Sequence, residues 1–338
     1  MLRLFVPLLW ATVSALIVTP ISIKLAQRLN LIDLPNSEPH KIHQVPIPKA
    51  GGIAVAFVVV LVTLLSGKFV DSEVHAILLA SLIIFLFGLW DDARGLSAGW
   101  KLLGQMLATL LLIQQGVVIH MFGAGSLNNA FNIAVTFLWV VGVTNAFNLV
   151  DSMDGLAIGL AAIASAFFML VTVDAGQQAL AYLSAILLGS SIGAAYFNIM
   201  PARSFLGDSG AQFLGFVLAA LAIAYTPPGL PQPSSWFVPI LLLSVPIFDT
   251  TFVVISRLGQ GISFYKAGQD HTYHRLVMLG LSPSHAVSTM HIAAILTGCL
   301  AFTALPLPPL WANLIFSGAL VAGLAALIWL LRKSHASK

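Results

Sequence analysis

Long apolar runs alternate with short polar breaks along almost the whole chain. A helix needs about 20 mostly apolar residues to cross about 30 Å of hydrocarbon, and these runs are rich in Leu, Ala and Ile without the alternation of barrel strands. The pattern predicts eleven membrane-spanning helices, near Leu4–Ala26, Gly51–Gly67, Val74–Trp90, Leu102–Phe122, Phe131–Val150, Leu156–Val173, Gln178–Phe197, Ala211–Tyr225, Trp236–Ser256, Val287–Leu305 and Leu310–Leu331. The count is ten if the short third or eighth span is re-entrant, or if the last pair is misread. We therefore expect an all-α, polytopic membrane protein with a single domain over residues 1–338.

Composition agrees with this interpretation. Of the 338 residues, 59% are hydrophobic and 8% are charged, and the mean hydropathy is +0.97. Soluble domains carry about 25% charged residues, so a soluble globule is excluded. Cys299 is the only cysteine in the sequence, which excludes an intramolecular disulfide and a cysteine metal site.

Basic residues in the polar breaks fall almost entirely on one side of the predicted membrane. Arg3 and Lys68 lie on one side, and the other thirteen of the fifteen Lys and Arg residues lie on the opposite side. By the positive-inside rule, this second side is cytoplasmic. Nine of the twelve carboxylates share it. We therefore expect the loops that carry the chemistry on the cytoplasmic face of the membrane, and the net charge of +3 reflects these loops rather than nucleic-acid binding.

Two adjacent carboxylates, Asp91 and Asp92, close the third predicted span, and Lys101 stands at the head of the next. Neighbouring like charges at a water boundary suit the binding of a divalent cation or the handling of a phosphate proton. The alternative is a solvated helix end. The helix dipole disfavours acids at a C-terminus, which weakens that alternative.

Polar residues recur at every third position at the end of the fifth predicted span, at Asn145, Asn148, Asp151 and Asp154. On a helix, this spacing places them along one slowly drifting stripe. Such residues are costly in hydrocarbon and usually functional. Hydrogen bonding between helices is the alternative for the two asparagines.

Two further motifs lie on the same predicted face. Gly207-Asp208-Ser209-Gly210 opens the eighth span, where glycines permit close backbone approach and a helix N-terminus favours an anion. Alone it is a weak signal, but with the two acid clusters it predicts a magnesium-diphosphate site. In a long loop, His271, His274 and Arg275 suit phosphate or nucleotide contacts, whereas a zinc site lacks a third type of ligand.

Taken in order, these motifs resemble the polyprenyl-phosphate N-acetylhexosamine-1-phosphate transferases, glycosyltransferase family 4. The resemblance covers almost the whole chain and rests on Leu31-Ile-Asp-Leu-Pro-Asn36, Pro48-Lys-Ala-Gly-Gly52, Asp91-Asp92, Asn145-x-x-Asn148-x-x-Asp151, Gly207-Asp208 and His271-x-x-His274. Within the family, the likeness is greatest to the bacterial undecaprenyl-phosphate N-acetylglucosamine-1-phosphate transferases.

The resemblance implies transfer of N-acetylhexosamine-1-phosphate, with N-acetylglucosamine as the favoured sugar, from a UDP-sugar to undecaprenyl phosphate. UMP is released, and the product initiates the synthesis of a cell-envelope polysaccharide or glycolipid. Magnesium is the implied cofactor, with manganese as the alternative cation. The implied partners are undecaprenyl phosphate, UDP-N-acetylhexosamine and membrane lipid, with no nucleic acid, and a homodimer is left open.

The resemblance also implies roles for individual residues. Asp208 would be the main magnesium ligand with Asn148 close to the metal, Asp91 and Asp92 would bind metal or take a proton, and Lys101 would face phosphate. The implied substrate-binding residues are Lys41, Asn145, Asn148, Asp151, Asp154, Asn198, His271, His274 and Arg275.

One residue departs from the family pattern. Relatives usually carry His-x-His-His in the last motif, whereas Tyr273 occupies the third place here. Sugar recognition is expected in this loop, so the identity of the hexosamine stays open.

Two other functions compete with the transferase. An ion-coupled transporter would place its acids near the bilayer midplane, whereas the sequence clusters them at one face. A phosphotransferase of the CDP-alcohol type shares Asp151-x-x-Asp154-Gly155, but its further spaced acids are missing after Leu156.

Overall fold

The computed structural model of the chain describes residues 2–35, 45–227, 236–261, 263, 268 and 270–336. These ranges hold thirteen α-helices: α1 (Leu2–Arg28), α2 (Gly51–Leu65), α3 (Ser72–Arg94), α4 (Ala98–Gln114), α5 (Ser126–Val150), α6 (Leu156–Asp174), α7 (Gln178–Asn198), α8 (Gly207–Ala224), α9 (Phe237–Leu242), α10 (Ser244–Gly259), α11 (Thr272–Met278), α12 (Pro283–Ala304) and α13 (Pro309–Ala336). A short 3₁₀ helix covers Lys68–Val70, and two short antiparallel strands, β1 (Ile32–Asp33) and β2 (Ile47–Pro48), pair Ile32 with Pro48.

Among the described residues, eight helices are long and apolar enough to cross a membrane, namely α1, α3, α5, α6, α7, α8, α12 and α13. The prediction of a helical, polytopic membrane protein is therefore confirmed. The predicted count of eleven is larger than these eight, because three of the predicted spans form shorter helices.

The fourth predicted span, Leu102–Phe122, is helical only as far as Gln114, where α4 ends. The rest of this span is non-helical. Side chains of α5 satisfy this irregular backbone. The N–H of Ile119 donates to the hydroxyl of Thr136 at 3.0 Å, and the N–H of Met121 donates to Asn132 Oδ1 at 3.0 Å. Non-helical backbone within an apolar layer requires such partners.

The other two differences lie at α2 and in the ninth predicted span. Helix α2 has 15 residues, which is short for a membrane crossing. The ninth span divides at Leu243 into α9 and α10. Pro246 has no N–H for the carbonyl of Leu242 four residues earlier, which favours a break at this point.

Helix α8 forms the centre of the structure. Its span is 94% buried, and it packs against α2, α3, α5 and α6. Glycines permit this close packing: a Cβ on Gly52 would lie 2.3 Å from the N atom of Gly210, and one on Gly88 would lie 2.5 Å from Cα of Ser209. The start of α2, the end of α3 and the start of α8 therefore meet at one face.

Backbone hydrogen bonds hold this meeting point together. The N–H groups of Ala50 and Gly51 donate to the carbonyl of Phe205 at 3.1 and 2.9 Å, and the N–H of Phe205 donates to Pro48 at 2.9 Å. The segment that leads into α2 thus runs beside the segment that leads into α8. Both segments bring their helix starts to the face where α3 ends.

Candidate active site

Asp92, at the end of α3, caps the start of α8. Its Oδ1 accepts the N–H of Asp208 at 2.9 Å, and its Oδ2 accepts the N–H and the hydroxyl of Ser209 at 3.0 and 2.7 Å. Lys49 Nζ lies 3.4 Å from Oδ1, and the Asp92 side chain is fully buried. Gly207 has a φ of +71°, and a Cβ there would lie 2.6 Å from Asp92 Oδ2. Both carboxylate oxygens are therefore used by the protein, while the predicted metal or proton role of Asp92 stays a prediction.

Asp91 and Asp208 share Lys101 of α4. Lys101 Nζ forms an ion pair with Asp91 Oδ2 and lies 3.4 Å from Asp208 Oδ2. The other oxygen of Asp91 accepts the N–H of Leu96 at 2.6 Å. The Asp91 side chain is 3% exposed, whereas that of Asp208 is 28% exposed. Asp208 is thus the carboxylate of this group that a ligand can reach.

Several carboxylates lie close together at this face, and their negative charges shift the pKa values of neighbouring groups. Burial, followed by repulsion from Asp208, Asp92 and Asp154, raises the pKa of Asp151 well above its usual range. Burial opposes the charge of Lys49, but the neighbouring carboxylates, led by Asp92, outweigh it and raise its pKa. A cation bound here would relieve this repulsion.

The two asparagines of α5 have different surroundings. Asn145 forms two hydrogen bonds with Gln105 of α4. These contacts agree with the alternative of hydrogen bonding between helices. The predicted contact of Asn145 with substrate stays a prediction. The Oδ1 atom of Asn148 is buried and has no hydrogen-bond partner within the described residues. An unpaired buried oxygen is costly, and a cation or a ligand donor would satisfy it.

The turn after α5 is joined to the loop before α8. Asp154 Oδ2 accepts the N–H of Ala202 at 2.9 Å. Asn198 donates to the carbonyl of Ser204 at 2.9 Å and accepts the N–H of Gly155 at 3.1 Å. The amide of Asn198 is therefore engaged by the protein on both sides. The substrate contacts expected of Asp154 and Asn198 stay predictions.

Asp249 of α10 anchors the histidine motif and was given no role by the sequence. Its Oδ2 lies 2.8 Å from Nδ1 of His271, and its Oδ1 accepts the N–H of Thr272 at 2.6 Å. The Asp249 side chain is fully buried. The signal that could have identified it is a lone carboxylate within an apolar run, which is costly without a partner.

Tyr273 connects the histidine motif with the turn after α5. Its hydroxyl lies 2.9 Å from Nε2 of His274 and 3.3 Å from the carbonyl oxygen of Ser152. Burial raises the pKa of Tyr273, so the side chain is a neutral phenol. The turn that holds Asp151 is thereby joined to α11.

Arg275 and Lys41 complete the predicted site. The Nε atom of Arg275 is buried and has no hydrogen-bond partner in the described ranges, and its Nη1 lies 3.8 Å from the sulfur of Met278. A guanidinium with an unused N–H can donate a hydrogen bond to a phosphate or carbonyl oxygen of a ligand. Lys41 lies outside the described residues.

The oxygen donors of the site suit a magnesium ion whose remaining ligands come from the substrate. No group of three or more His, Cys, Asp and Glu side chains suitable for a metal occurs in the part of the chain that the structure describes. Mg²⁺, however, is usually held by one or two carboxylates together with substrate phosphates and water. The accessible carboxylate of Asp208 and the unpaired oxygen of Asn148 are oxygen donors of that type.

Comparison with known proteins identifies the family. The model of glycosyl transferase family 4 matches residues 74–226, which run from α3 to just beyond α8. A probable undecaprenyl-phosphate N-acetylglucosaminyl 1-phosphate transferase of Bacillus subtilis is 32% identical over 300 residues, covering 86% of this chain and 82% of that protein. The chain belongs to glycosyl transferase family 4.

Other known proteins show a similar likeness. A decaprenyl-phosphate N-acetylglucosaminephosphotransferase of Mycobacterium tuberculosis is 30% identical over 91% of this chain and 84% of its own length. A phospho-N-acetylmuramoyl-pentapeptide-transferase of Levilactobacillus brevis is 34% identical over 52% of this chain and 61% of its own length. The protein is therefore an enzyme, a phospho-N-acetylhexosamine transferase of the polyprenyl-phosphate type. Family membership decides against the transporter and the CDP-alcohol phosphotransferase.

Proposed function

We propose that the protein transfers N-acetylglucosamine-1-phosphate from UDP-N-acetylglucosamine to undecaprenyl phosphate and releases UMP. The observation that carries this proposal is the accessible carboxylate of Asp208, which stands at the start of a buried helix beside the ammonium group of Lys101. Helix starts and ammonium groups attract phosphate, whereas carboxylates attract a divalent cation. A metal-bound diphosphate satisfies both preferences at once.

Asp208 and Asn148 would hold Mg²⁺, which neutralises charge on the diphosphate when bound. Manganese is the alternative cation. Asp92 holds the N-terminus of α8, and with it Asp208, in place through three hydrogen bonds. Asp91 holds the ammonium group of Lys101 beside Asp208. This ion pair orients the ammonium group toward the position of the diphosphate. The residues thus position charges, which is what phosphoryl transfer chiefly requires.

The lipid phosphate supplies the nucleophile. With a second pKa of about 6, it is largely ionised at neutral pH and needs no strong base. One of its oxygens attacks the sugar-side phosphorus of the nucleotide sugar, the bond from that phosphorus to the bridging oxygen breaks, and UMP leaves with the electron pair. We favour this direct attack over a phospho-aspartate at Asp91 or Asp92, because the carboxylate oxygens of both residues are engaged by the protein.

The reaction is proposed for the cytoplasmic side of a bacterial plasma membrane. The positive-inside distribution of thirteen of the fifteen basic residues supports this side. The starts of α2 and α8 and the end of α3 meet at a single face, as the sequence predicts for the cytoplasmic loops.

N-acetylglucosamine is the proposed sugar, and undecaprenyl phosphate the proposed lipid. The relatives from B. subtilis and M. tuberculosis, which match most of this chain, are described as N-acetylglucosamine transferases. The muramoyl-pentapeptide relative from L. brevis matches about half of it. Tyr273, which differs from the usual family residue, lies in the loop where sugar recognition is expected.

A panel of nucleotide sugars tests this proposal. Purified full-length protein in a mild detergent would be incubated with undecaprenyl phosphate, Mg²⁺ and, in separate reactions, UDP-N-acetylglucosamine, UDP-N-acetylgalactosamine, UDP-glucose and UDP-N-acetylmuramoyl-pentapeptide. We expect UMP with UDP-N-acetylglucosamine, and its loss when EDTA replaces Mg²⁺. Release of UMP with another sugar alone would overturn the sugar assignment. No UMP with any sugar, from protein shown to be folded, would overturn the reaction.

A further inference from the structure

Three amide side chains, two of them buried, form a hydrogen-bonded group between α4, α5 and α8. Gln105 Nε2 donates to Asn145 Oδ1 and to Gln212 Oε1, each at 3.1 Å, and Asn145 Nδ2 donates back to Gln105 Oε1 at 2.8 Å. Gln105 and Gln212 are each only 2% exposed. We call Gln105, Asn145 and Gln212 the amide triad.

Each member of the amide triad lies one helical turn from a residue of the proposed site. Gln105 follows Lys101 by four residues, and Gln212 follows Asp208 by four. Asn145 precedes Asn148 by three. Residues three or four apart lie on the same side of a helix, one turn apart. Helix α5 ends, and α4 and α8 begin, at the site, so all three steps run from the triad toward it.

The chemistry of Gln105 suits a connector of three helices. It uses both amide hydrogens as donors and its carbonyl oxygen as an acceptor, which fixes the orientation of its amide plane. An apolar residue at this position would avoid the free-energy cost of an unpaired polar group, which is about 1–3 kcal/mol for each buried group. Buried polar groups are better suited to fixing one register between helices than to adding stability.

We propose that the amide triad sets the register of α4, α5 and α8, and that this register places Lys101, Asn148 and Asp208 at the distances needed for a metal-bound diphosphate. Gln105, Asn145 and Gln212 are positioning residues in this proposal. It rests on the proposed function and goes further, because it assigns Asn145 to the support of the site and adds two glutamines that no motif marks.

The test replaces Gln105 in the full-length protein and measures UMP release. Gln105→Glu keeps the shape of the side chain but removes both amide donors, and Gln105→Leu removes all three hydrogen bonds. We expect kcat to fall about 10- to 100-fold in both variants, because small displacements of positioned groups are costly for catalysis. KM for UDP-N-acetylglucosamine should stay within about threefold of wild type, while the Mg²⁺ concentration for half-maximal rate should rise several-fold.

Thr109→Val is the matched control. Thr109 lies one turn beyond Gln105 on α4, is fully buried, and donates to the carbonyl of Gln105 in its own helix at 2.7 Å. This variant removes a buried hydrogen bond that lies within α4 and joins no other helix. We expect wild-type kcat from it, because the bonds that join α4 to α5 and α8 are kept.

Exchanging the long and the short amide side chain between α4 and α5 provides a test that measures a recovery of activity. The double variant Gln105→Asn, Asn145→Gln keeps the combined length of the two side chains that join α4 and α5. We expect it to recover at least a third of wild-type kcat, whereas each single exchange stays at a tenth or less. Nucleotide-dependent Mn²⁺ binding, followed by electron paramagnetic resonance, should weaken and recover in the same order.

The outcomes separate this proposal from the one on which it rests. Wild-type protein that releases no UMP would refute the proposed function, and the triad proposal with it. Active wild type with equally active Gln105→Glu and Gln105→Leu variants would refute the triad proposal alone. A double variant no better than the single exchanges, or equal losses in Thr109→Val, would also refute it.

Discussion

The two halves of the site are built differently. The acidic half, Asp91, Asp92, Lys101 and Asp208, stands on the ends of helices α3, α4 and α8, and α8 is the most deeply buried of the eight long apolar helices in the described ranges. The histidine half stands on α11, a helix of seven residues. It is joined to the rest of the protein through Asp249 and through the hydroxyl of Tyr273.

Each half contains a fully buried carboxylate that holds a more accessible group. Asp92 caps the helix that carries Asp208, and Asp249 holds the ring of His271. The acidic half draws its geometry from packed membrane helices, so it suits the invariant part of the reaction, the diphosphate and its metal. The histidine half stands on a short helix beside the membrane spans, so a single substitution at Tyr273 can change its polar contacts without rebuilding the fold.

The largest effect is expected in the acidic half. Asp208→Asn removes the accessible carboxylate while leaving the backbone N–H that Asp92 caps. We expect turnover to fall about 10²- to 10³-fold or more, since this is the usual loss for one electrostatic group of an active site, with an unchanged thermal midpoint. UMP release measures the effect. Asp174→Asn, at the far end of α6, is the matched control and should keep full activity; equal losses in both variants would contradict the assignment.

A smaller loss is expected when the anchor of the histidine half is removed. Asp249→Ala leaves the ring nitrogen of His271 and the N–H of Thr272 without their acceptor, at a cost of about 1–3 kcal/mol for each group. We expect about a 100-fold loss of kcat/KM and a lower thermal midpoint. Asp249→Asn keeps an oxygen for Thr272 and should lose less. Wild-type kinetics in the alanine variant would show that His271 does not need this anchor.

The Tyr273 hydroxyl should have a still smaller effect. Tyr273→Phe removes hydrogen bonds to His274 and Ser152 but keeps the buried ring. A hydrogen bond contributes about 0.5–1.5 kcal/mol, which corresponds to a loss of kcat/KM of about 2- to 13-fold. Tyr273→His, which installs the usual family residue, should recover most of this loss. If the His variant is slower than the Phe variant, the tyrosine has a role that histidine cannot replace.

The sequence predicted the acidic half better than the histidine half. Adjacent residues such as Asp91 and Asp92 mark a helix end by themselves, and the alternation of spans places that end on the same side as Asp208. The partners of His271 could not be read in this way, because Asp249 precedes His271 by 22 residues and lies in another helix, α10. Such a contact depends on tertiary packing, which sequence spacing does not encode.

The contacts of two predicted polar positions differ although their spacing is the same as the sequence indicates. Asn145 and Asn148 lie one helical turn apart on α5, yet Asn145 bonds to Gln105, whereas the Oδ1 atom of Asn148 has no hydrogen-bond partner within the described residues. The fourth predicted span ran too far because Asn132 and Thr136 satisfy backbone groups after α4. Periodicity indicates which face is polar, and it does not indicate what that face contacts.

The smallest expected effect is on pH dependence. The pKa of Asp151 is raised in the folded protein, so the folded state holds a proton that the unfolded chain releases, and stability falls as the pH rises above the usual carboxylate range. In metal-free protein, Asp151→Asn should therefore raise the thermal midpoint by a few degrees at neutral pH. The gain should vanish at a pH low enough to protonate the wild-type carboxyl. A gain that is the same at every pH would contradict this origin.

The central claim is that a divalent cation binds at Asp208 together with the nucleotide sugar, whereas Asp92 caps the N-terminus of α8. Mn²⁺ binding in the presence of UDP-N-acetylglucosamine, followed by electron paramagnetic resonance in wild type, Asp208→Asn and Asp92→Asn, tests it directly. We predict that Asp208→Asn loses nucleotide-dependent Mn²⁺ binding, whereas Asp92→Asn keeps it within about tenfold and loses thermal stability. Wild-type Mn²⁺ affinity in folded Asp208→Asn would contradict the claim.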